Sequence, residues 1–496
     1  MSDIELTAEN DPSDTTPGRG SLAKHVVGLP GVIFQSVTFM APGAAVATSL
    51  AVAAGFAGGA MPLTVLLTLI AALLVAVSIS QLARQLPSAG SVYTYPSQGL
   101  HPTIGFLVGW GYAMITGLVG PIVNLLIGFF GATVLKSEFG WNFRATWISL
   151  LVISAILTAL LGHRGVRFST LFGVALGSFE IVVFLALSIW LIAHAAPGGN
   201  TLQVFTLKFA TVKGFHGISG VLSGAVFVLL AFVGFEAAAP LAEEAKDPRR
   251  NVPRAVIFSC VLVGVFYLFT TYAVAAYVGP AHLQSYGNLG GGSPWITFAR
   301  KFWGIGWVVV FLAIVNSFFA NGNSALIAST RTWYAMGRIK VFPSSLARTN
   351  AKHETPTVGI LVQGLLTLVL ALPLALKFGP VDAFEILATI LSAVMIGIYI
   401  VINISSFGYY WRRKRDEFNW LLHFVIPLVS SVILIPVLAS ALGIGSSVFK
   451  FVSPLPYPIS VAGLVVIIWF IIGLVYLAYL LWRHPGRIED MGKVYE

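Results

Sequence analysis

Twelve long apolar runs constrain this chain more than any other feature of its sequence. They fall at 30–54, 60–84, 99–132, 146–162, 168–194, 217–241, 255–279, 306–332, 357–378, 384–410, 421–443 and 458–482. About 20 apolar residues in a helix cross a hydrocarbon core roughly 30 Å thick. In that solvent a backbone must satisfy its own polar groups, which a helix does within one segment. The runs therefore predict an all-α polytopic membrane protein with about twelve transmembrane helices. Composition agrees, with 57% apolar and only 10% charged residues, where a soluble chain carries about 25% charged. The third run is overlong, so a tilted or projecting helix is expected there. The connections are short and punctuated by Gly, Pro and charge.

The net charge of +10 is explained by sidedness and not by nucleic acid. With twelve spans and a cytoplasmic N-terminus, most of the 29 basic residues fall in cytoplasmic loops. Among them are Lys246, Arg249, Arg250, Arg254, Arg331, Arg338, Arg412, Arg413, Lys414 and Arg415. This is the positive-inside pattern, and it predicts both termini on the cytoplasmic side of the cell membrane. Residues 1–24 are polar and acidic, without the basic start and apolar core of a signal peptide. They read as a disordered cytoplasmic tail, and 484–496 reads as a second tail. The lone cysteine, Cys260, excludes an intrachain disulfide and is expected to pack in the core.

Two runs carry helix breaks. The first contains Ala41-Pro42-Gly43 and the sixth contains Gly234, then Pro240. Proline removes a backbone donor and glycine loosens the turn. If 25–194 and 214–411 form two halves of five spans, these are the first helices of each, with 418–483 as a peripheral pair. Interrupted segments in corresponding positions point to a transporter's binding site; two ordinary kinks are the plainer alternative. Glu236 lies just past the second break. It is either a functional acid, as intramembrane carboxylates usually are, or an interfacial one that snorkels.

Three stretches carry a family resemblance. GFEAAAPLAEEAKDPRRNVPRAV follows the second break, QLARQLPSAGSVYTY joins spans 2 and 3, and NSALIASTRTWYAMGRIKVFPSSLARTNAKHETPTVGI leaves span 8. Together they resemble the amino acid–polyamine–organocation (APC) transporter superfamily over about 28–411. The resemblance implies a leucine-transporter-like fold with two inverted five-helix repeats and two peripheral helices. It also implies a substrate held at the midplane between unwound parts of spans 1 and 6. Two departures stand out. Ala-Pro-Gly replaces a Gly-small-Gly motif at the first break. Glu180 falls about where several relatives carry a lysine.

Unwound backbone supplies ligands. The N-terminal ends of the resumed half-helices suit a carboxylate, and the C-terminal ends of the first halves suit an ammonium or a cation. The expected substrate contacts are Ala41, Gly43, Ala44 and Ala45 from span 1, with Ala231, Phe232, Val233 and Gly234 from span 6. Phe232 reads as an aromatic gate by its place in the resembling family, or as a packing residue. Glu180 sits in GSFEIVVFLALSIW. A carboxylate there must be protonated, paired or turned to a polar cavity. It serves proton coupling or a structural hydrogen bond. Asn316, Ser317, Asn321, Asn323 and Ser324 on span 8 either coordinate a cation or hold helices together. The mixed charges of 243–254 can form a latch on the cytoplasmic side.

The leading function is a secondary transporter for an amino acid or related amine, coupled to a proton, with no cofactor. The other readings are an exchanger, a channel or a membrane-embedded enzyme. No GxxxxGK[ST] motif marks an ATP site. The nine histidines are scattered at loops and span ends, with no HExxH motif.

Overall fold

The computed structural model describes residues 26–88, 90–163, 166–350 and 355–492. The expected tail 1–24 lies outside them, as does the end of the second tail. Twelve helical segments are long and apolar enough to cross a membrane. Span 1 is three helices in series, Leu29–Met40, Pro42–Ala47 and Ser49–Ala57. Gly58, at φ 57° and ψ −140°, then turns the chain into span 2, Met61–Gln85. Spans 3, 4 and 5 are Pro102–Phe139, Phe143–Gly162 and Val166–Ala193. Span 6 is Ile218–Phe232 followed by a 3-10 turn, Phe235–Leu241. Spans 7, 8, 9 and 10 are Pro248–Val278, Trp307–Arg338, Thr357–Phe378 and Pro380–Arg413. Span 11 is Leu421–Ala441 and span 12 is Val461–Arg483.

The helix pattern explains what sits inside. On span 8, Ala313, Ile314, Ser317, Phe318, Asn321, Ser324, Ala325 and Ala328 are buried. Their spacing of three and four makes one face of a helix. That face packs on spans 1, 3 and 5. On spans 4, 9 and 12 the large aliphatic residues Ile153, Leu160, Leu365, Val369, Ile471 and Leu474 are exposed. Those faces meet lipid, where apolar surface is at home.

Several expectations shift by a turn or more. The third apolar run begins at 99, but Ser91–Gly99 is a separate helix. Span 3 starts at Pro102, capped by His101, whose Nδ1 accepts from the Thr103 N–H at 3.2 Å. At its far end the helix continues through polar Lys136 and Ser137 to Phe139, so it does project beyond the apolar run. Its 38 residues span about 57 Å at 1.5 Å each. Span 7 begins a few residues before its apolar run: Pro248 takes the first turn, after Asp247 as N-cap, and Pro253 lies inside the helix. The two longest connections are folded: 195–217 carries a hairpin pairing Thr211 with His216, and 279–306 carries the helix Pro294–Trp303. Cys260 is buried, as expected.

Close helix crossings rest on glycine. A Cβ on Gly99 would overlap the Ser405 carbonyl oxygen on span 10, with that residue's Cα at 3.0 Å. A Cβ on Gly364 of span 9 meets nothing within 4 Å. Gly99→Leu should therefore cost on the order of 1–3 kcal/mol, read as a lower melting temperature in detergent. Gly364→Leu should leave that temperature unchanged or raise it.

Candidate functional site

The two breaks face each other at the centre of the helix packing. At the first, Ala41 takes the left-handed conformation, φ 48° and ψ 68°. Pro42 has no N–H and so tolerates the first position of the resumed helix. At the second, Val233 leaves the helix with ψ 124° and Gly234 adopts φ 123°. Only glycine fits at 234, because a Cβ there would also stand 2.9 Å from the Met40 amide nitrogen. The two breaks thus touch backbone to backbone.

Side chains from spans 1, 7 and 8 close the freed polar groups. The Tyr267 hydroxyl of span 7 lies 2.9 Å from both the Met40 and the Ala231 carbonyl. Ser36 donates to the Phe235 carbonyl at 2.9 Å and accepts from the Ala238 N–H at 3.0 Å. Asn321 donates to the Phe39 carbonyl. Ser317 accepts from the Ala44 N–H at 2.9 Å. Tyr267 and Ser36 were not singled out from the sequence. Tyr267 is one of 15 tyrosines, in a run where nothing but its polar tip marks it.

Both intramembrane acids are fully buried. Glu236 accepts from the Gly234 N–H at 3.0 Å and from the Tyr399 hydroxyl at 2.9 Å. Among the described residues its other oxygen has no partner, and neither does the buried Tyr112 hydroxyl of span 3, which stands in electrostatic reach of it. Glu180 of span 5 turns toward the Gly43 N–H and Ser317, though neither contact meets full hydrogen-bond geometry. A Cβ on Gly43 would stand 3.4 Å from Glu180 Oε2 and 2.9 Å from the Phe184 ring. Glycine at 43 is what lets span 5 approach the break. Asn316 faces away from this cluster and donates to the Leu176 carbonyl at 3.0 Å.

A cavity of about 60 Å³ lies between the breaks. Ala41, Ala44, Ala45, Ala231 and Val233 line it, as do Thr48, Ser49 and Asn321. Its remaining walls are apolar, with Val119, Ile122, Leu126, Phe318 and Leu391 among them. Gly43, Phe232 and Gly234 do not line it. Phe232 packs edge-on against Tyr267, ring centres 5.4 Å apart. Past Thr48, Leu126 and Phe384 a wider vestibule of about 490 Å³ opens beside Gln284, Asn288 and Glu385. Glu385, near the start of span 10, stands in this vestibule wall.

The opposite side is shut. The Val26 and Val27 N–H groups donate to the Glu244 carbonyl at 2.9 and 3.0 Å, and the Lys246 N–H donates to the Val27 carbonyl at 2.8 Å. Arg331 Nε meets Glu244 Oε1 at 3.0 Å, both side chains almost wholly buried. Arg338 meets Glu243 at 3.4 Å nearer the surface. The charged loop after span 6 is therefore a latch against spans 1 and 8. Among the described residues no group of three or more His, Cys, Asp or Glu forms a metal site.

Sequence comparisons find relatives along most of the chain. The amino acid permease family model matches residues 33–477. The low-affinity putrescine importer PlaP of Escherichia coli K12 is 26% identical over 79% of this chain and 83% of its own. The branched-chain amino acid permease BcaP of Lactococcus lactis is 28% identical over 90% of this chain and 91% of its own. Its Bacillus subtilis namesake is 26% identical over 65% and 70%.

A buried ion pair is costly to half-remove and cheap to replace whole. Arg331→Met alone should destabilise the protein by about 3–5 kcal/mol, because Glu244 is left charged and dry. Arg331→Met with Glu244→Leu should recover most of that loss. Thermal unfolding of the two variants checks it; a double variant no better than the single would refute the burial argument.

Proposed function

Because the chain belongs to the amino acid permease family, we propose that it carries a small amino acid or amine across the cell membrane by alternating access, coupled to a proton. Family membership makes it a multi-pass membrane transporter and not an enzyme. The substrate class is drawn from the relatives, one named for putrescine and others for branched-chain amino acids. Both classes share a small body with an ammonium group.

One observation carries the alternating-access reading. A cavity between two facing helix breaks has a vestibule on one side and a latch on the other. In the proposed orientation both termini are cytoplasmic, as the loop charges favour. The vestibule is then external and the latch internal, so the conformation is outward-facing. Inward opening separates the 26–27 segment from 244–246 and parts Arg331 from Glu244. Residues 25–194 and 214–411 are proposed as the two inverted halves, with 418–483 peripheral to them.

The cavity-lining backbone of Ala41, Ala44, Ala45, Ala231 and Val233 is proposed to meet the substrate. Gly43, Phe232 and Gly234 shape the breaks from behind. Glu236 is proposed as the proton carrier. It lies just past the span 6 break, bonded to Tyr399, with one oxygen unengaged. Glu180 and Ser317 gate the span 1 break, and Asn316 ties span 8 to span 5.

Uptake of labelled amino acids and amines into proteoliposomes tests this reading. An inward proton gradient should drive accumulation, and a sodium gradient of equal size should not. Glu236→Gln should abolish gradient-driven accumulation while leaving exchange of internal for external substrate. Full uphill uptake by that variant would remove Glu236 from the coupling step.

A further inference from the structure

We infer that a sodium ion binds in a small oxygen-lined cavity among spans 3, 4, 8 and 9, apart from the two breaks. The cavity measures about 10 Å³, and Asn124, Thr158, Gly322, Gln363 and Thr367 are among the residues that line it. Val123 and Asn321 line the central cavity, while their chain neighbours Asn124 and Gly322 line this one. The two spaces therefore lie on opposite sides of spans 3 and 8.

The polar side chains offer this space acceptors. The Asn124 amide donates to the Gly120 carbonyl at 2.8 Å, and the Gln363 amide to the Gly117 carbonyl at 2.9 Å. Reversing either amide would set oxygen against oxygen, so in each the side-chain oxygen is the free end. Among the described residues neither Asn124 Oδ1 nor Gln363 Oε1 has a partner, and the two residues are only 1% and 4% exposed. Both hydroxyl protons are spent within their own helices: Thr158 donates to the Ser154 carbonyl at 2.9 Å, and Thr367 to the Gln363 carbonyl at 3.0 Å. Each hydroxyl oxygen keeps lone pairs to offer. Glycine lets span 9 come this close. A Cβ on Gly120 would stand 2.5 Å from the Gln363 amide nitrogen and 2.8 Å from Thr367 Oγ1.

Buried oxygens without donors call for a guest that brings positive charge. A space of this size takes one body no larger than a water. A water has two protons and can meet two of the four oxygens; a cation is met by all of them. No Asp or Glu lines the cavity among the described residues, which argues against calcium and magnesium, whose sites are built on carboxylates. An all-oxygen set likewise suits no soft transition metal. Neutral oxygens suffice for a monovalent ion, as in channel filters where carbonyls replace the hydration shell. Sodium is the common monovalent ion small enough for this cavity. Bound there, it ties spans 3 and 4 to span 9 and braces the wall of the central cavity from behind. It is a resident ion, distinct from the proton of the proposed cycle.

Thermal unfolding of the purified full-length protein, in sodium chloride against choline chloride at equal ionic strength, tests the site. A ligand of the folded state alone stabilises it by mass action, so sodium should raise the melting temperature saturably. Potassium should need a higher concentration to do the same. Gln363→Met keeps the volume and removes the amide, and Thr158→Val removes the hydroxyl on span 4. Each should raise the half-saturating sodium concentration ten-fold or more. Gln363→Glu puts a carboxylate at the cavity and should lower that concentration several-fold. In a site for water alone the same change buries a bare charge, and sodium does not restore the lost stability. Half-saturation is read within each protein, so a variant that starts less stable still reports on the site. Thr158→Val leaves both amides in place if Gln363→Met does not fold. A wild type that sodium stabilises no more than choline overturns the inference and leaves an ordered water as the guest. Equal half-saturation in the wild type and the variants also overturns it, because the ion then binds elsewhere.

Discussion

Backbone groups set free in the middle of a membrane must find partners, because lipid offers none. Two helices of this chain break at mid-depth, and much of the central packing answers that demand. Tyr267 from span 7 serves two carbonyls, Ser36 bridges from span 1 to the 3-10 turn of span 6, and Asn321 and Ser317 reach in from span 8. Two glycines, at 43 and 234, let the neighbouring spans come close enough to do so. The helices around the breaks are placed as much by these bonds as by apolar packing.

The satisfaction is uneven, and the unevenness has chemical content. Most amides at the breaks are engaged, that of Gly234 by Glu236 and that of Ala44 by Ser317. Carbonyls at the breaks share too few donors. A centre built this way is electronegative without exposing a carboxylate to the cavity.

The apolar runs made the twelve-span architecture legible, and the Pro-Gly interruptions located both breaks to within a residue or two. Ala41 and Gly234 needed only local chemistry to be noticed. Tyr267 and Ser36 were out of reach, because their roles depend on which helix lies opposite, and one sequence does not encode that openly. The same holds for Phe232: its neighbour Tyr267, not its own type, decides that it faces away from the cavity. The start of span 3 was misplaced because apolar content runs on through Gly99 and Leu100, while Pro102 and the His101 cap fix the helix.

The latch on the closed side has a further consequence, in leakage. A carrier with a wide vestibule brings water deep toward its centre, and a continuous file of water would let protons short-circuit the membrane. Between Glu236 and the ion pair of Glu244 with Arg331, the residues 237–242 are buried, and the chain there is Ala, Pro and Leu. That stretch is an insulating plug with few groups to hold a water file. In the proton-coupled cycle proposed above, its dryness keeps an idle carrier from spending the gradient, and it makes every opening a wetting event as well as a movement.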